Sequence, residues 1–183
     1  MRRGFLAEGP RVGIRPFTYG DSAEFIARVR ESRQLHHPWL APPASPDAYT
    51  SYAGRLIEDR TKAGFLVCEK DGDEKGSIAG FININNIVHG GFLCGALGYG
   101  AFAHAAGRGL MGEGLDLVVR YAFGPPLRLH RLEINAQPGN TASIALARRC
   151  GFRLEGFSPD FLYIDGAWRD HERWAITSDM VKG

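Results

Sequence analysis

A glycine-rich turn between a predicted strand and a predicted helix constrains the fold of this chain more than any other feature. Gly107 and Gly109 flank Arg108. The residues that follow repeat at helical spacing and give one apolar face: Leu110, Leu115, Val118, Val119 and Ala122. Because glycine has no Cβ, the backbone can curl until successive N–H groups share one concavity with the free amides of the helix start. The turn is therefore predicted to bind an anion such as phosphate, the alternative being a plain strand-to-helix turn.

The turn matches neither of the standard nucleotide-binding motifs. The chain has no Gly-x-x-x-x-Gly-Lys-Ser/Thr sequence, which argues against a P-loop. Residues 107–112 do spell Gly-x-Gly-x-x-Gly, but they follow a long strand region. The acidic residue that a dinucleotide site requires about 20 residues later is also missing. The sequence thus disfavours a dinucleotide-binding domain.

Composition indicates one domain spanning residues 1–183, because 183 residues with 44% apolar side chains suffice for one sizeable core. The formal net charge of +2 favours neither nucleic acid nor a membrane as partner. No apolar run reaches membrane-spanning length, and the first residues lack a signal peptide. Cys68, Cys94 and Cys150 are odd in number and scattered, which predicts a cytoplasmic protein without disulfides. No metal is expected, since the adjacent side chains of His36 and His37 diverge.

Periodicity and capping residues predict an α+β fold. Helices are predicted to begin at an acidic capping box, Asp21-x-x-Glu24, at Ser45-Pro46 and at Asn140, the last ending near Gly151. Strands are predicted at 12–16, 65–70, 78–88, 92–102, 130–135 and 152–157, with a final hairpin of 161–164 and 169–177. The second to fourth of these form an antiparallel meander. We expect a mixed, mainly antiparallel sheet of about six to seven strands with helices on both faces.

Two strands of the meander carry unusual residues. Asn83, Asn85 and Asn86 suit a buried ladder poorly, so a solvent-facing side is favoured over a polar groove. Glycines at 95, 98 and 100 predict either a bulge or a close approach by another group.

Several motifs, in this order, resemble the GNAT superfamily of acyl-CoA-dependent N-acetyltransferases, and within it the Rim-type (RimJ/RimL) enzymes that acetylate protein N-termini. Residues 104–109, His-Ala-Ala-Gly-Arg-Gly, match the pyrophosphate loop Gln/Arg-x-x-Gly-x-Gly/Ala except at the first position. Residues 131–152 match the strand, loop and helix that follow it. Shorter matches are residues 15–21, Gly98-Tyr99, residues 140–143 and residues 165–170.

The resemblance implies a GNAT fold in which the strand around Gly98 bulges and splays from the next, between the fourth and fifth strands. The gap would hold acetyl-CoA, with the N–H of Gly98 or Tyr99 stabilising the oxyanion and Arg149 adding charge. The implied coenzyme-binding residues are Leu97, Gly98, Tyr99, His104, Gly107, Arg108, Gly109, Leu110, Met111, Gly112, Asn140 and Ser143.

Three catalytic candidates follow from the same resemblance. Glu133 is the candidate base, acting through water, the alternative being an exposed glutamate paired with Arg131 or Arg153. Ser143 is the candidate acid, because the tyrosine of many superfamily members is Ala147 here, although Ser143 could simply cap the helix. Tyr163 is the reserve acid.

Trp39, Tyr99, Glu133 and Tyr163 are predicted to contact the acceptor, with Trp39 as ordinary core as the alternative. His171 could join that site or form a surface pair with Asp170. Since no cysteine has a recognisable His or Asp partner, transfer is expected to be direct.

The predicted function is transfer of acetyl from acetyl-CoA to a protein or peptide N-terminal amine, such as that of a ribosomal protein, by a monomer or homodimer. One alternative is a small-amine acetyltransferase acting on an antibiotic, a polyamine or an amino acid. The other is a catalytically silent acyl-CoA-binding module.

Overall fold

A computed structural model describes residues 4–181 and contains one eight-stranded sheet. The strands are β1 (Ala7–Glu8), β2 (Val12–Pro16), β3 (Ala63–Glu69), β4 (Ile78–Val88), β5 (Cys94–Ala101), β6 (Arg131–Ala136), β7 (Arg153–Ile164) and β8 (Ala167–Thr177), in the order β1-β2-β3-β4-β5-β6-β8-β7. All neighbours are antiparallel except β5 and β6, which are parallel. The mixed, mainly antiparallel sheet is confirmed, with a short β1 that the sequence did not predict.

The predicted strands 152–157 and 161–164 form one strand, β7. An irregularity in its pairing with β8 between Ser158 and Leu162 separates the two parts. Pro159 and the positive φ of Asp160, 47°, fall inside this irregularity. The sequence pattern therefore indicated a break where the structure has a bulge.

Within residues 4–181, five α-helices cover both faces of the sheet, which confirms the prediction of helices on both faces. They are α1 (Ser22–Glu31), α2 (Arg33–His36), α3 (Pro46–Glu58), α4 (Leu110–Phe123) and α5 (Thr141–Arg149). On one face, α1 and α3 bury Phe25, Tyr49 and Leu56 against β-strand residues such as Phe81. On the other face, α4 and α5 pack on a larger core that contains Leu132, Ile134 and Trp174. No helix within residues 4–181 is long and apolar enough to cross a membrane.

Two of the three predicted helix caps are confirmed. Ser45 Oγ accepts the Ala48 amide at 3.3 Å, and Asn140 Oδ1 accepts the Ser143 amide at 3.3 Å. The capping box predicted at Asp21 is wrong. Asp21 instead bonds backward to the Thr18 amide at 2.8 Å, and Glu24 accepts the amide of Ile78, at the start of β4, at 2.7 Å. The acidic pair thus ties α1 to neighbouring elements.

Small residues let α4 lie very close to the sheet. A Cβ on Gly114 would approach Val67 Cγ2 to 2.8 Å, and a Cβ on Gly80 would overlap Met111 Sδ. Because α4 begins directly after the glycine-rich turn, this packing fixes the height of the turn above the sheet.

The glycines of β5 permit close packing. A Cβ on Gly95 would overlap Ile84, and one on Gly100 would lie 2.7 Å from the Phe81 ring. The bulge implied for this strand lies instead in β4, where the register with β5 shifts between Asn85 and Val88. Asn83 is buried and donates to the Tyr52 hydroxyl, so the predicted solvent-facing side is wrong for this residue.

The strands β5 and β6 part after a short parallel stretch. Their pairing runs from Cys94 opposite Arg131 to Leu97 opposite Ile134, whereas β5 continues to Ala101 and β6 to Ala136. The splay between the fourth and fifth predicted strands is thereby confirmed.

Candidate active site

The parting of β5 and β6 opens a cavity of about 530 Å³. The predicted site residues that line it are Trp39, Leu97, Gly98, Tyr99, Glu133, Asn140 and Ser143. Asn85, Asn86, Phe92, Phe161 and His171 also line it. Residues on five strands, on the connecting loops and on α5 are therefore gathered around one gap, and the polar groove disfavoured for Asn85 and Asn86 is present.

Strand alternation divides the cavity into two sides. Leu132 and Ile134 belong to the core under α4 and α5, so Glu133, between them on β6, faces the opposite side of the sheet. By the same alternation His171 lies on the Glu133 side of β8, since Trp174 and Ile176 join the core under α4 and α5. The Tyr99 ring packs on that core. Two ligands that enter the cavity from opposite faces of the sheet could therefore meet in the gap between β5 and β6.

The glycine-rich turn adopts the predicted left-handed conformation. Gly107 has φ +75° and Gly109 has φ +77°, and Gly109 is the residue immediately before α4. The first amides of α4 have no intrahelical acceptor, so those of Leu110, Met111 and Gly112 can bind a ligand. The Leu110 and Met111 side chains are buried, which leaves only their backbone for this purpose.

The charged side chains of the turn, those of Arg108 and His104, lie against Glu69 at the end of β3. The Arg108 guanidinium donates to both carboxylate oxygens of Glu69, at 2.9 and 2.8 Å, and this contact raises the pKa of Arg108. His104 Nε2 also lies 3.7 Å from Glu69 Oε1, and burial lowers the pKa of His104. The prediction that these two side chains bind coenzyme therefore has no support from their orientation, whereas the backbone of the turn keeps its role.

Arg11 is a cation beside the turn that the sequence did not single out. Its guanidinium donates to the Arg108 carbonyl oxygen at 2.8 Å and to Glu113 at 3.0 Å. Glu113 also accepts the amides of Arg11 and Val12, at 2.7 and 3.0 Å. Arg11 Nη2 would lie 3.3 Å from a Cβ on Gly109. The one local signal was the acidic Glu113 in the first turn of α4, whose partner is distant in sequence.

Tyr99 and Ser143 form a hydrogen-bonded pair. The Tyr99 hydroxyl lies 2.8 Å from Ser143 Oγ, while the Ser143 amide is fixed by Asn140. Burial raises the pKa of Tyr99 to about 12, so its phenol stays protonated at neutral pH. The pair can supply hydrogen-bond donors on the α4 and α5 side of the gap.

Glu133 is held by two arginines. Its carboxylate accepts from Arg131 Nε at 2.8 Å and from Arg173 Nη2 at 3.1 Å. Of the two partners considered for an ion-paired glutamate, Arg131 is therefore present, and the second cation is Arg173 rather than Arg153. Each oxygen already accepts a charge-assisted hydrogen bond.

Two aromatic candidates differ in position. Trp39 is partly buried, lines the cavity and lies against the loop before α5, where a Cβ on Gly139 would be 3.0 Å from its ring. Tyr163 is 63% exposed, does not line the cavity and packs on Trp168 with ring centroids 5.5 Å apart. The position of Tyr163 on the outer hairpin therefore gives no support to the prediction that it acts as acid or acceptor ligand.

The histidines are separated from one another. His36 is buried with Nε2 2.7 Å from the Ala101 carbonyl oxygen, while His37 is exposed. His171 is 2% exposed, and its neighbour Asp170 accepts the Asp160 amide, so the two do not form a surface pair. Within residues 4–181 no three potential ligands are grouped to hold a metal ion.

A left-handed glycine turn before a helix, beside parallel strands that part around a cavity, defines the class of acyl-CoA-dependent acyltransferases. Residues 11–153 match the family model described as acetyltransferase (GNAT) domain. The chain belongs to the GNAT acetyltransferase family and is an acetyl-CoA-dependent N-acetyltransferase. Gly98, whose Cβ position has only Asn85 Nδ2 within 4 Å, at 3.8 Å, leaves space for a thioester at the gap.

Comparison with known proteins shows which members of this family the chain is similar to. The chain is 37% identical over 153 residues to the ribosomal protein uS5-alanine N-acetyltransferase of Escherichia coli, covering 81% of this chain and 78% of that protein. It is similar to Mycobacterium smegmatis RimJ in complex with CoA-disulfide, with TM-score 0.85, 26% identity and coverage of 96% and 88%. Spermidine N-acetyltransferase from Vibrio cholerae in complex with CoA and spermine has TM-score 0.75 at 21% identity, covering 92% and 96%, and shows the fold alone.

Proposed function

We propose that this enzyme acetylates the α-amine at the N-terminus of a protein or peptide. The observation that carries the proposal is the charge of the cavity. Glu133 is the single carboxylate among the described residues that line it, and its charge is already balanced by Arg131 and Arg173. A polyamine would need several unpaired carboxylates, whereas one amine on an otherwise uncharged segment needs none.

The cavity walls suit an extended peptide. Carboxamides at 85, 86, 135, 137 and 140 can pair with both N–H and C=O groups of a peptide backbone. Val88 and Phe92 are 47% and 58% exposed and form an apolar rim on the same cavity. Together with Trp39 and Phe161 they offer contact area to uncharged first residues.

On the coenzyme side of the cavity, the proposed roles belong to backbone amides, to Arg11 and to Ser143. The amides of Leu110, Met111 and Gly112 hold the diphosphate, with the Arg11 guanidinium beside them. The Ser143 hydroxyl, paired with Tyr99, donates a hydrogen bond to the leaving sulfur. The backbone N–H of Gly98 or Tyr99 stabilises the oxyanion.

The named relative acts on a ribosomal protein, and we propose a ribosomal protein N-terminus as the acceptor class here. We place the enzyme in the cytoplasm, a location compatible with the free thiols of Cys68, Cys94 and Cys150. We treat residues 1–183 as one domain, because β7 and β8 complete the sheet that the family match covers up to residue 153.

The experiment is thiol release from acetyl-CoA with a matched set of acceptors. One peptide has a free N-terminal alanine and no lysine, and its control has a blocked N-terminus and one internal residue replaced by lysine. Spermidine and a single amino acid complete the set. The proposal requires the free N-terminal peptide to exceed every other acceptor at least tenfold in kcat/KM.

Each alternative has its own outcome in this assay. Preference for spermidine or an amino acid would replace the proposal by the small-amine reading, which the shared fold of the spermidine enzyme makes worth testing. Acetyl-CoA binding without thiol release for any acceptor would indicate a silent module.

A further inference from the structure

His171 is the buried titratable side chain in the acceptor side of the cavity that has no role so far. It is 2% exposed, lines the cavity and faces the same side of the sheet as Glu133. Its ring packs on Phe161 with centroids 5.9 Å apart, which fixes the plane of the imidazole. A rigid imidazole in an acceptor pocket is suited to take a proton.

Hydrogen bonding determines which ring nitrogen is free. His171 Nδ1 lies 2.9 Å from the Arg169 carbonyl oxygen. A carbonyl oxygen only accepts, so Nδ1 must carry the hydrogen of the neutral ring, and Nε2 keeps its lone pair. Among residues 4–181 no side chain or backbone group donates to Nε2.

Glu133 is less suited to the same task. Both of its carboxylate oxygens already accept hydrogen bonds from guanidinium groups, of Arg131 and Arg173, so neither oxygen is left without a charged partner. Arg173 is itself fixed by Asn135 at 2.6 Å and lies over the Phe161 ring, 4.3 Å from its centroid. Both Glu133 oxygens are thus occupied, whereas the imidazole on the same side of the sheet keeps one nitrogen with a free lone pair.

We propose that His171 Nε2, rather than Glu133, accepts the proton of the acceptor amine. This assignment rests on the proposed transfer to an amine. As the amine nitrogen forms its bond to the acyl carbon, one N–H proton passes to Nε2 and the carbon–sulfur bond breaks. His171 then releases that proton to solvent, and the departing thiolate, held by the Ser143 hydroxyl, takes one from solvent. The imidazole contacts the Phe161 ring and the Arg169 carbonyl oxygen, and Ser158 lies opposite His171 on β7. Glu133 and Arg173 lie on the same side of the sheet.

The test compares His171→Gln, His171→Ala and Glu133→Gln in the full chain, with the N-terminal alanine peptide as acceptor. His130→Gln is the matched control, because His130 is exposed, bonds to Ser178 and lies outside the cavity lining. General-base catalysis is worth about 10²–10⁴-fold. Both His171 variants are therefore expected to lose at least about 100-fold in kcat/KM. Their CoA dissociation constants should stay within about twofold of the wild type, since the proposed diphosphate site is separate.

Chemical rescue separates a catalytic from a structural role. Removing the imidazole in His171→Ala leaves space beside the cavity, so added imidazole should restore kcat at least about tenfold in that variant and not in His171→Gln. The proposal is overturned if His171→Gln retains activity within threefold of wild type, if Glu133→Gln loses more than His171→Gln, or if imidazole fails to rescue a folded His171→Ala. If the wild type itself releases no thiol with any amine, the proposed function fails first.

Discussion

Replacing either glycine of the turn by alanine tests the phosphate loop directly. Gly107 and Gly109 have φ of +75° and +77°, where an L side chain costs about 1–2 kcal/mol. A Cβ on Gly107 would meet no atom within 4 Å, so Gly107→Ala adds this conformational cost alone. Gly109→Ala adds contact with Arg11 Nη2 at 3.3 Å.

The cost divides between stability and coenzyme affinity. If the free loop keeps its shape in Gly107→Ala, the unfolding free energy falls by the full cost and CoA affinity is unchanged. If the free loop relaxes, stability is spared and CoA must rebuild the loop on binding, which weakens affinity by up to about 5- to 30-fold. In both cases the CoA-bound protein loses about 1–2 kcal/mol of unfolding free energy.

Urea unfolding with and without saturating CoA, together with calorimetric titration of CoA, measures both parts. Gly72→Ala is the matched control, because Gly72 has φ +86° and no neighbour within 4 Å but lies in the turn between β3 and β4. It should lose similar stability with unchanged CoA affinity. Gly107→Asn should lose less, since asparagine tolerates this conformation. Wild-type stability of the CoA-bound Gly107→Ala and Gly109→Ala proteins would refute the reasoning.

Further substitutions test the ion pairs and one buried histidine. Glu133→Gln should lower the unfolding free energy by about 1–2 kcal/mol in urea. Glu155→Gln should cause a smaller loss, because the Glu155 side chain is 37% exposed. An equal loss in the two variants would contradict the pairing of Glu133 with two arginines. Arg11→Gln should weaken CoA binding about fivefold in calorimetric titration, with a smaller effect at high salt. Arg108→Gln should change it less than twofold because Glu69 holds that guanidinium, and the reverse ranking would contradict this assignment. Burial lowers the pKa of His36, so the unfolded chain binds more protons below about pH 6.5 and stability falls as the pH decreases toward the folded-state pKa. The slope of unfolding free energy against pH should be shallower in His36→Gln, and an unchanged slope would exclude His36 as its source.

The sequence correctly predicted those parts of the fold that are determined by residues close together in the chain. Ser45 and Asn140 cap their helices because a short polar side chain reaches the free amides of its own helix. The glycines at 107 and 109 have positive φ because the turn between β5 and α4 requires it. The parting of β5 and β6 was accessible only through the resemblance, since no short-range pattern encodes where a parallel register stops.

Long-range pairing decided the features that the sequence missed. Arg11 and Glu113 are 102 residues apart, and Glu69 and Arg108 are 39 apart, so neither pair could be read from spacing. Tyr163 lies on the predicted hairpin, but only the pairing of β7 with β8 shows that this part of the hairpin lies outside the cavity. The sequence left open whether His171 joins the acceptor site or pairs with Asp170, and the pairing of the strands brings it to the cavity.

Because α4 packs so closely on the sheet, a substitution in its second turn would affect the proposed coenzyme site. A methyl group at Gly114, 2.8 Å from Val67 Cγ2, would have to move more than half an ångström to reach ordinary contact at 3.4 Å. The amides proposed to bind the diphosphate lie about one helical turn away in the same helix, so they would be displaced with it. A substitution in the buried core, far from the reacting atoms, would thus weaken the affinity for the acyl donor.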